Sequence, residues 1–265
     1  MLEQQVSMST STMLALIRRI GAEPHTVLAS TPTWEDEKAR RLSDQRADAE
    51  LAGIGLHDGR AVHPALQATV EAIARPALEY YAWINGGIEN QAVNYTVLAG
   101  SGSGTAFVLV RHSDADVVAL GSVHPHELLE NFIAQLPNLG PGRGQPVNVP
   151  KSVISGDGAR REFDGENFSV MSNGRRSPTA EAAGEIRRIL ALPRLGGGSL
   201  YVAGRNRNGR RERVERPVNY IDTTEGRWLT EEVPGSGEPA IAFTPATPHV
   251  LAERLRNAQS RLPLT

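Results

Sequence analysis

The chain has 265 residues, 40% of them hydrophobic and 22% charged, and its 28 Lys and Arg against 30 Asp and Glu leave a formal net charge of -2. That length and apolar content support one large or two medium domains with a substantial core, while the near-neutral balance removes any global attraction to nucleic acid or an anionic membrane. No cysteine is present, which excludes disulfides, thiolate metal sites and cysteine nucleophiles and fits a reducing cytoplasm.

Residues 1–21 are too polar and interrupted for a signal peptide, and no apolar run approaches the roughly 18 residues of a membrane span. The expected setting is cytoplasmic, without membrane insertion. Met13, Leu14, Ile17 and Ile20 recur at helical spacing and Gly21 supplies a stop. A second, charge-rich helix is expected from Thr33, its N-cap, to Gly53, with Trp34, Leu42 and Leu51 facing inward. His63-Pro64 opens a third helix with Leu66, Val70 and Ile73 on one face, and Pro76 ends it.

LEYYAWI, VNYTVLA, TAFVLVR and DVVALGS follow, each rich in β-branched or aromatic residues and separated by turn formers, which predicts an antiparallel meander. It leads into a Pro125-started helix. Residues 138–150, dense in Gly and Pro, read as the linker between halves, and residues 151–177 mix turn formers with isolated apolar residues. Order returns in a helix capped by Ser177 or Thr179 that buries Ala183, Ile186, Ile189 and Leu190. SLYVAGR, RERVERPVNYI, GRWLTEE and AIAFTPA then predict four more strands before a Pro248-started helix.

The second half therefore repeats the first. The prolines bracketing each set of strands, Pro76 to Pro125 and Pro193 to Pro248, lie 49 and 55 positions apart. With Pro125 laid on Pro248, Leu128, Glu130 and Phe132 fall opposite Leu251, Glu253 and Leu255. The expectation is an α+β fold in which a quasi-two-fold repeat of antiparallel β-meanders forms a central sheet flanked by two helical bundles. Its halves are residues 1–145 and 146–265, two pseudo-repeats within one domain.

Candidate chemistry is sparse. His124, His126 and Glu127 form an H-x-H-E string, but a proline-led helix start explains a polar cap and a first-turn Glu without a metal. His63 and His249 share that explanation. The GSGSG run at 100–104 lacks the Lys-Ser/Thr of a phosphate loop and joins two strands, so it reads as a flexible hairpin tip; GPGRG at 140–144 follows a helix and reads as linker. Arg205, Arg207, Arg210, Arg211, Arg213 and Arg216 form a basic ribbon around an Asn208-Gly209 turn, diluted by Glu212 and Glu215 and without interleaved aromatics to stack bases. No nucleophile–base pair stands out, so no enzymatic activity, metal or cofactor is expected.

From Pro193 onward the chain closely resembles the EspG family, the secretion-associated proteins of actinobacterial type VII (ESX) systems. The strings that carry the resemblance are Pro193-Arg194 with Gly196-Gly197-Gly198, Tyr220-Ile221-Asp222-Thr223 followed by Gly226-Arg227-Trp228, and Thr244-Pro245-Ala246-Thr247-Pro248. In the first half, Leu51-Ala52 with Gly55-Leu56, Ala74-Arg75-Pro76 and Val147-Asn148-Val149-Pro150 fall where the family has similar residues.

The resemblance implies a cytosolic chaperone that binds PE/PPE heterodimers, capping the apolar tip of the PPE helical bundle for export. It also implies contacts from the loop between the second and third strands and from the second helical bundle, by position residues 99–105 and 153–189. The partner-contact residues expected on that basis are Gly100, Ser101, Ser103, Thr105, Phe163, Phe168 and Met171. Without partner the chain is expected to be a monomer or weak homodimer. The alternative reading is a nucleic-acid-binding module built on the arginine ribbon.

Overall fold

Ser9 does two jobs at the start of the chain, because it closes a short strand, β1 (Val6–Ser9), and caps the helix that follows, α1 (Thr10–Arg19), accepting from Thr12 N at 3.2 Å. The computed structural model describes residues 2–29, 36–88, 91–155, 178–235 and 237–264. Helix α2 (Glu37–Gly53) is capped by the Asp36 side chain, which accepts from Ala39 N at 2.7 Å. It starts later than the expected Thr33, and both Thr33 and Trp34 lie outside the described residues. From the last turn of α2, Glu50 reaches back to Ser9 N at 2.6 Å and Ser9 Oγ at 2.7 Å and accepts from Thr12 Oγ1, joining the end of α2 to the start of α1. Leu51 is fully buried, whereas Leu42, expected inward, is exposed (47%), as are residues 37–41 before it. Helix α3 (Pro64–Ala74) begins with His63 as cap and buries Leu66, Val70 and Ile73 as its periodicity requires.

The first meander forms as expected: β2 (Leu78–Ile88), β3 (Gln91–Gly102), β4 (Thr105–His112) and β5 (Val117–Val123) are antiparallel neighbours in chain order. The edge of β5 is taken by β1, Val6 opposite Leu120. A 3-10 turn (Pro125–Glu127) then leads into α4 (Leu128–Ile133).

The second copy has the same plan. Strand β6 (Val147–Pro150) and the short helix α5 (Lys151–Ser155) precede α6 (Pro178–Ala191), followed by β7 (Arg194–Arg205), β8 (Arg211–Arg213), β9 (Val218–Thr223), β10 (Gly226–Val233), β11 (Ala240–Pro245) and α7 (Pro248–Gln259). The strand order β1-β5-β4-β3-β2 is matched by β6-β11-β10-β9-β7, so each copy opens with a four-residue strand that returns to pair with its last one. Among the described residues the first copy thus has five strands and the second six, where the letters show four in each. RERVERPVNYI, expected as one strand, divides into β8 and β9, because Pro217 has no N–H to give a ladder.

Two compact units are present: Met1–Pro137 with Gly198–Pro217 and Ala252–Thr265, and Asn138–Gly197 with Val218–Leu251. In the first unit, helices α1 to α3 cover one sheet face through Met13, Ile17, Leu66 and Ile73 against Tyr81, Leu98, Phe107 and Leu109. Helix α4 buries Leu128, Leu129, Phe132 and Ile133, with the Phe132 ring stacked on Tyr80 at 5.7 Å. In the second unit, α6 supplies Ala183, Ile186 and Ile189 to a core with Val149, Ile221, Trp228 and Phe243.

Candidate partner-binding surface

Of the expected contact residues, Gly100, Ser101, Ser103 and Thr105 lie on the β3–β4 hairpin of the first unit. Ser101 pairs with Ala106 and Gly102 with Thr105, leaving only Ser103 and Gly104 as the turn. Both have positive φ, 50° and 78°, as a two-residue hairpin with the right-handed twist demands. The remainder of the Gly/Ser run is strand rather than flexible tip, and its glycines answer a packing need. A Cβ on Gly100 would meet Phe107 Cζ at 2.9 Å, and one on Gly102 would meet Arg75 O at 3.2 Å. Close approach of the α3–β2 link is sealed by Ala77 N donating to Ser101 O at 2.7 Å. Phe163, Phe168 and Met171 lie outside the described residues. With β1 counted, this hairpin joins the third and fourth strands, and the connection between the second and third falls at residues 89–90, also outside the described residues.

In the second unit the outer face of α6 is set by a clasp the sequence disguises as linker. The GPGRG segment runs along β10: Arg227 N donates to Gly140 O at 2.8 Å, Gly142 N to Arg227 O at 2.7 Å and Arg143 N to Glu225 O at 3.0 Å. Gly142 lies against the fully buried Trp228 ring, where a Cβ would sit 2.1 Å from Cε2. Arg188 of α6 then ties the clasp down, pairing with Glu185 at 2.7 Å and Glu225 at 2.6 Å. The hydrogen bonds it donates to these two carboxylates hold its guanidinium charged more firmly than usual, and Glu185 in turn is held below the ordinary carboxylate range, chiefly by Arg188.

Beneath the clasp, Arg227 donates from Nε to Asp222 Oδ1 at 2.7 Å and from Nη2 to Oδ2 at 2.8 Å, and its guanidinium lies 4.4 Å over the Tyr220 ring. Thr223 Oγ1 donates to Gly226 O at 2.9 Å and accepts from Glu225 N at 3.2 Å. Gly226, at φ 112°, comes so near Pro141 O that a Cβ would lie 2.4 Å from it. α6 leaves Leu190 49% exposed, contrary to its expected burial, and Leu195 at the start of β7 is 40% exposed. Leu190 is next to Ile189, about a quarter-turn off the buried stripe.

The arginine ribbon is largely committed to its own unit. Arg205 Nη1 donates to Gly209 O at 2.7 Å across the turn, Arg211 pairs with the buried Glu79 at 2.5 Å, and Arg210 lies 3.7 Å from Glu212. His124 and His126 stack at 5.4 Å on an exposed helix start, and among the described residues no group of three His, Asp or Glu is placed to hold a metal ion.

The model of the EspG family matches residues 9–257 of the chain. The chain belongs to the EspG family. The EspG fold is also found in the solved structure of the Mycobacterium tuberculosis type VII secretion system chaperone EspG5 in complex with a PE25-PPE41 dimer. That structure has a TM-score of 0.65 and 14% sequence identity, covering 98% of this chain and 97% of that one. No curated protein sequence matches. Within this EspG chain the family strings at 220–223 and 226–228 coincide with the Arg227–Asp222–Tyr220 network and the Trp228 clasp, so the motif marks fold-holding contacts. The exposure of Trp83 (39%), Leu190 and Leu195 was not legible, since nothing in their spacing separates them from core residues.

Proposed function

We propose that the chain is a cytosolic chaperone of a type VII (ESX) secretion system, without enzymatic activity, that binds a PE/PPE heterodimer at the apolar PPE tip and keeps it soluble for export. The observation that carries this reading is membership of the EspG family over residues 9–257, together with a fold shared along the whole length of EspG5, which was solved holding a PE/PPE dimer. No helix among the described residues is long and apolar enough to cross a membrane, in keeping with a soluble carrier. The proposed contacts are Gly100, Ser101, Ser103 and Thr105 on the hairpin with Phe163, Phe168 and Met171, and residues 89–90 join them because of the strand count. Leu190 and Leu195 add exposed apolar area in the second unit. Burial of such area drives association at roughly 25 cal/mol per Å² before the costs of association, so affinity is expected to vary little with salt.

Co-expression tests the proposal. A PPE protein from the source organism, expressed with its PE partner, should be recovered soluble and bound to the chain, and should aggregate when the chain is omitted. Equal solubility with and without it would overturn the reading. Replacing Phe168 and Met171 together by Asp is expected to abolish the complex while leaving the thermal melt unchanged; retained binding would move the contact to the hairpin or residues 89–90.

A further inference from the structure

The first unit holds a shelf of aromatic rings and guanidinium groups that the chaperone reading does not use. Trp83, in the middle of β2, is 39% exposed. Its ring stands edge-on to Tyr81 at 5.4 Å and to Tyr201 at 5.3 Å, and those two tyrosines stack on each other at 5.0 Å with an interplanar angle of 8°. The arginine ribbon completes it. Strand β8 lies on β7 with Arg213 opposite Ala203 and Arg211 opposite Arg205, which places Arg211, Arg213 and Tyr201 on one face. Arg211 lies 5.4 Å over Tyr81 and Arg213 lies 5.5 Å over Tyr201. Arg211 is neutralised by Glu79, but among the described residues no carboxylate pairs with Arg213.

We infer that this shelf is a docking site for an acidic peptide segment of a protein partner, one that lays an aromatic or branched apolar side chain on Trp83 and a neighbouring carboxylate on Arg213. Three properties select that occupant. The rings are locked by mutual contact, so little rotamer entropy is lost on binding. The free charge at the shelf is positive, supplied by a guanidinium whose planar fork matches a carboxylate. Aromatic and arginine side chains in one desolvatable patch are the composition of binding hot spots. A nucleic acid fits less well, because Tyr81 and Tyr201 already occupy each other's faces, leaving a single ring for a base, and Glu79 lies alongside.

The test uses the full-length chain and synthetic probes: a peptide of repeated Phe-Glu-Asp triplets, a charge-reversed peptide of Phe-Lys-Lys triplets, and oligothymidylate, each titrated by calorimetry and by tryptophan fluorescence. The acidic peptide is expected to bind with an affinity that falls with salt, and the charge-reversed peptide to bind at least ~10-fold more weakly. Trp83→Ala and, separately, Arg213→Glu should each weaken the acidic peptide by at least ~10-fold with an unchanged melt; the second, being a surface change, keeps the test valid should the first perturb folding. Equal binding of the two peptides, tighter binding of oligothymidylate, unaltered affinity in the variants, or no binding of the acidic peptide would each overturn the inference. None of these results bears on whether a PE/PPE pair is carried, which the co-expression experiment decides separately.

Discussion

Replacing Gly142 by Ala tests whether the GPGRG segment is a clasp or a linker. The new Cβ would sit 2.1 Å from Trp228 Cε2 and 2.3 Å from Nε1, so either the indole or the loop has to move. The indole is fully buried among Val149, Ile186 and Phe243; displacing it overpacks a filled core, at about 1–3 kcal/mol. Lifting the loop instead breaks the bonds Arg227 N to Gly140 O, Gly142 N to Arg227 O and Arg143 N to Glu225 O, each contributing about 1 kcal/mol, or roughly 3 kcal/mol together. Taking the cheaper route, Gly142→Ala should destabilise by about 1–3 kcal/mol. Gly140, two residues away, has nothing within 4 Å of its Cβ position and no positive φ, so Gly140→Ala should stay within about 0.5 kcal/mol of the parent. Guanidinium unfolding followed by circular dichroism and tryptophan fluorescence gives both values. Equal stability of the two variants would refute the clasp.

Other expectations follow from the buried charges. Asp222→Asn leaves Arg227 buried without its carboxylate, a loss of about 3–5 kcal/mol visible as a lowered melting temperature, whereas Asp222→Leu with Arg227→Met should recover much of it. For Glu79, burial alone would push the carboxyl up, but hydrogen bonds and charge from His25 and Arg211 outweigh it and hold the group below its ordinary 4.5. A depressed folded value means stability present above about pH 4.5 and lost as the pH falls through the folded value. The stability gap between the parent and Glu79→Gln should therefore be largest near neutrality and close in acid; a pH-independent gap would contradict the assignment. Burial pushes the Tyr80 phenol, which donates to Gln259, up to about 12. In an ultraviolet titration Tyr80→Phe should remove an ionisation step near pH 12.

The long elements were legible because each carried its own signal. Pro64 and Pro248 start helices, Leu66, Val70 and Ile73 fall on one helical face, and the first meander shows as four β-rich runs between turn formers. Strands β1 and β6 were not legible: VSMS and VNVP are too short to show alternation, and both exist only because β5 and β11 offer an open ladder edge. The sidedness of Leu42 and Leu190 failed for a related reason, since what covers a helix face is decided by distant chain. GPGRG misled because a glycine needed for close approach to Trp228 looks the same in sequence as one that confers flexibility. The proposed site was legible only by position: the structure resolves the hairpin residues into a tight turn on packed glycines. The ribbon likewise looked bare of aromatics, because Tyr81 and Trp83 reach it from β2, remote in sequence, and Tyr201 lies four residues before its first arginine.

The most direct measurement is recovery of the tagged chain from a lysate of its source cells, with co-eluting proteins identified and quantified by mass spectrometry. The account predicts a PE/PPE pair at stoichiometric ratio. A clean preparation without such a pair, from cells shown to express PE and PPE proteins, would contradict it.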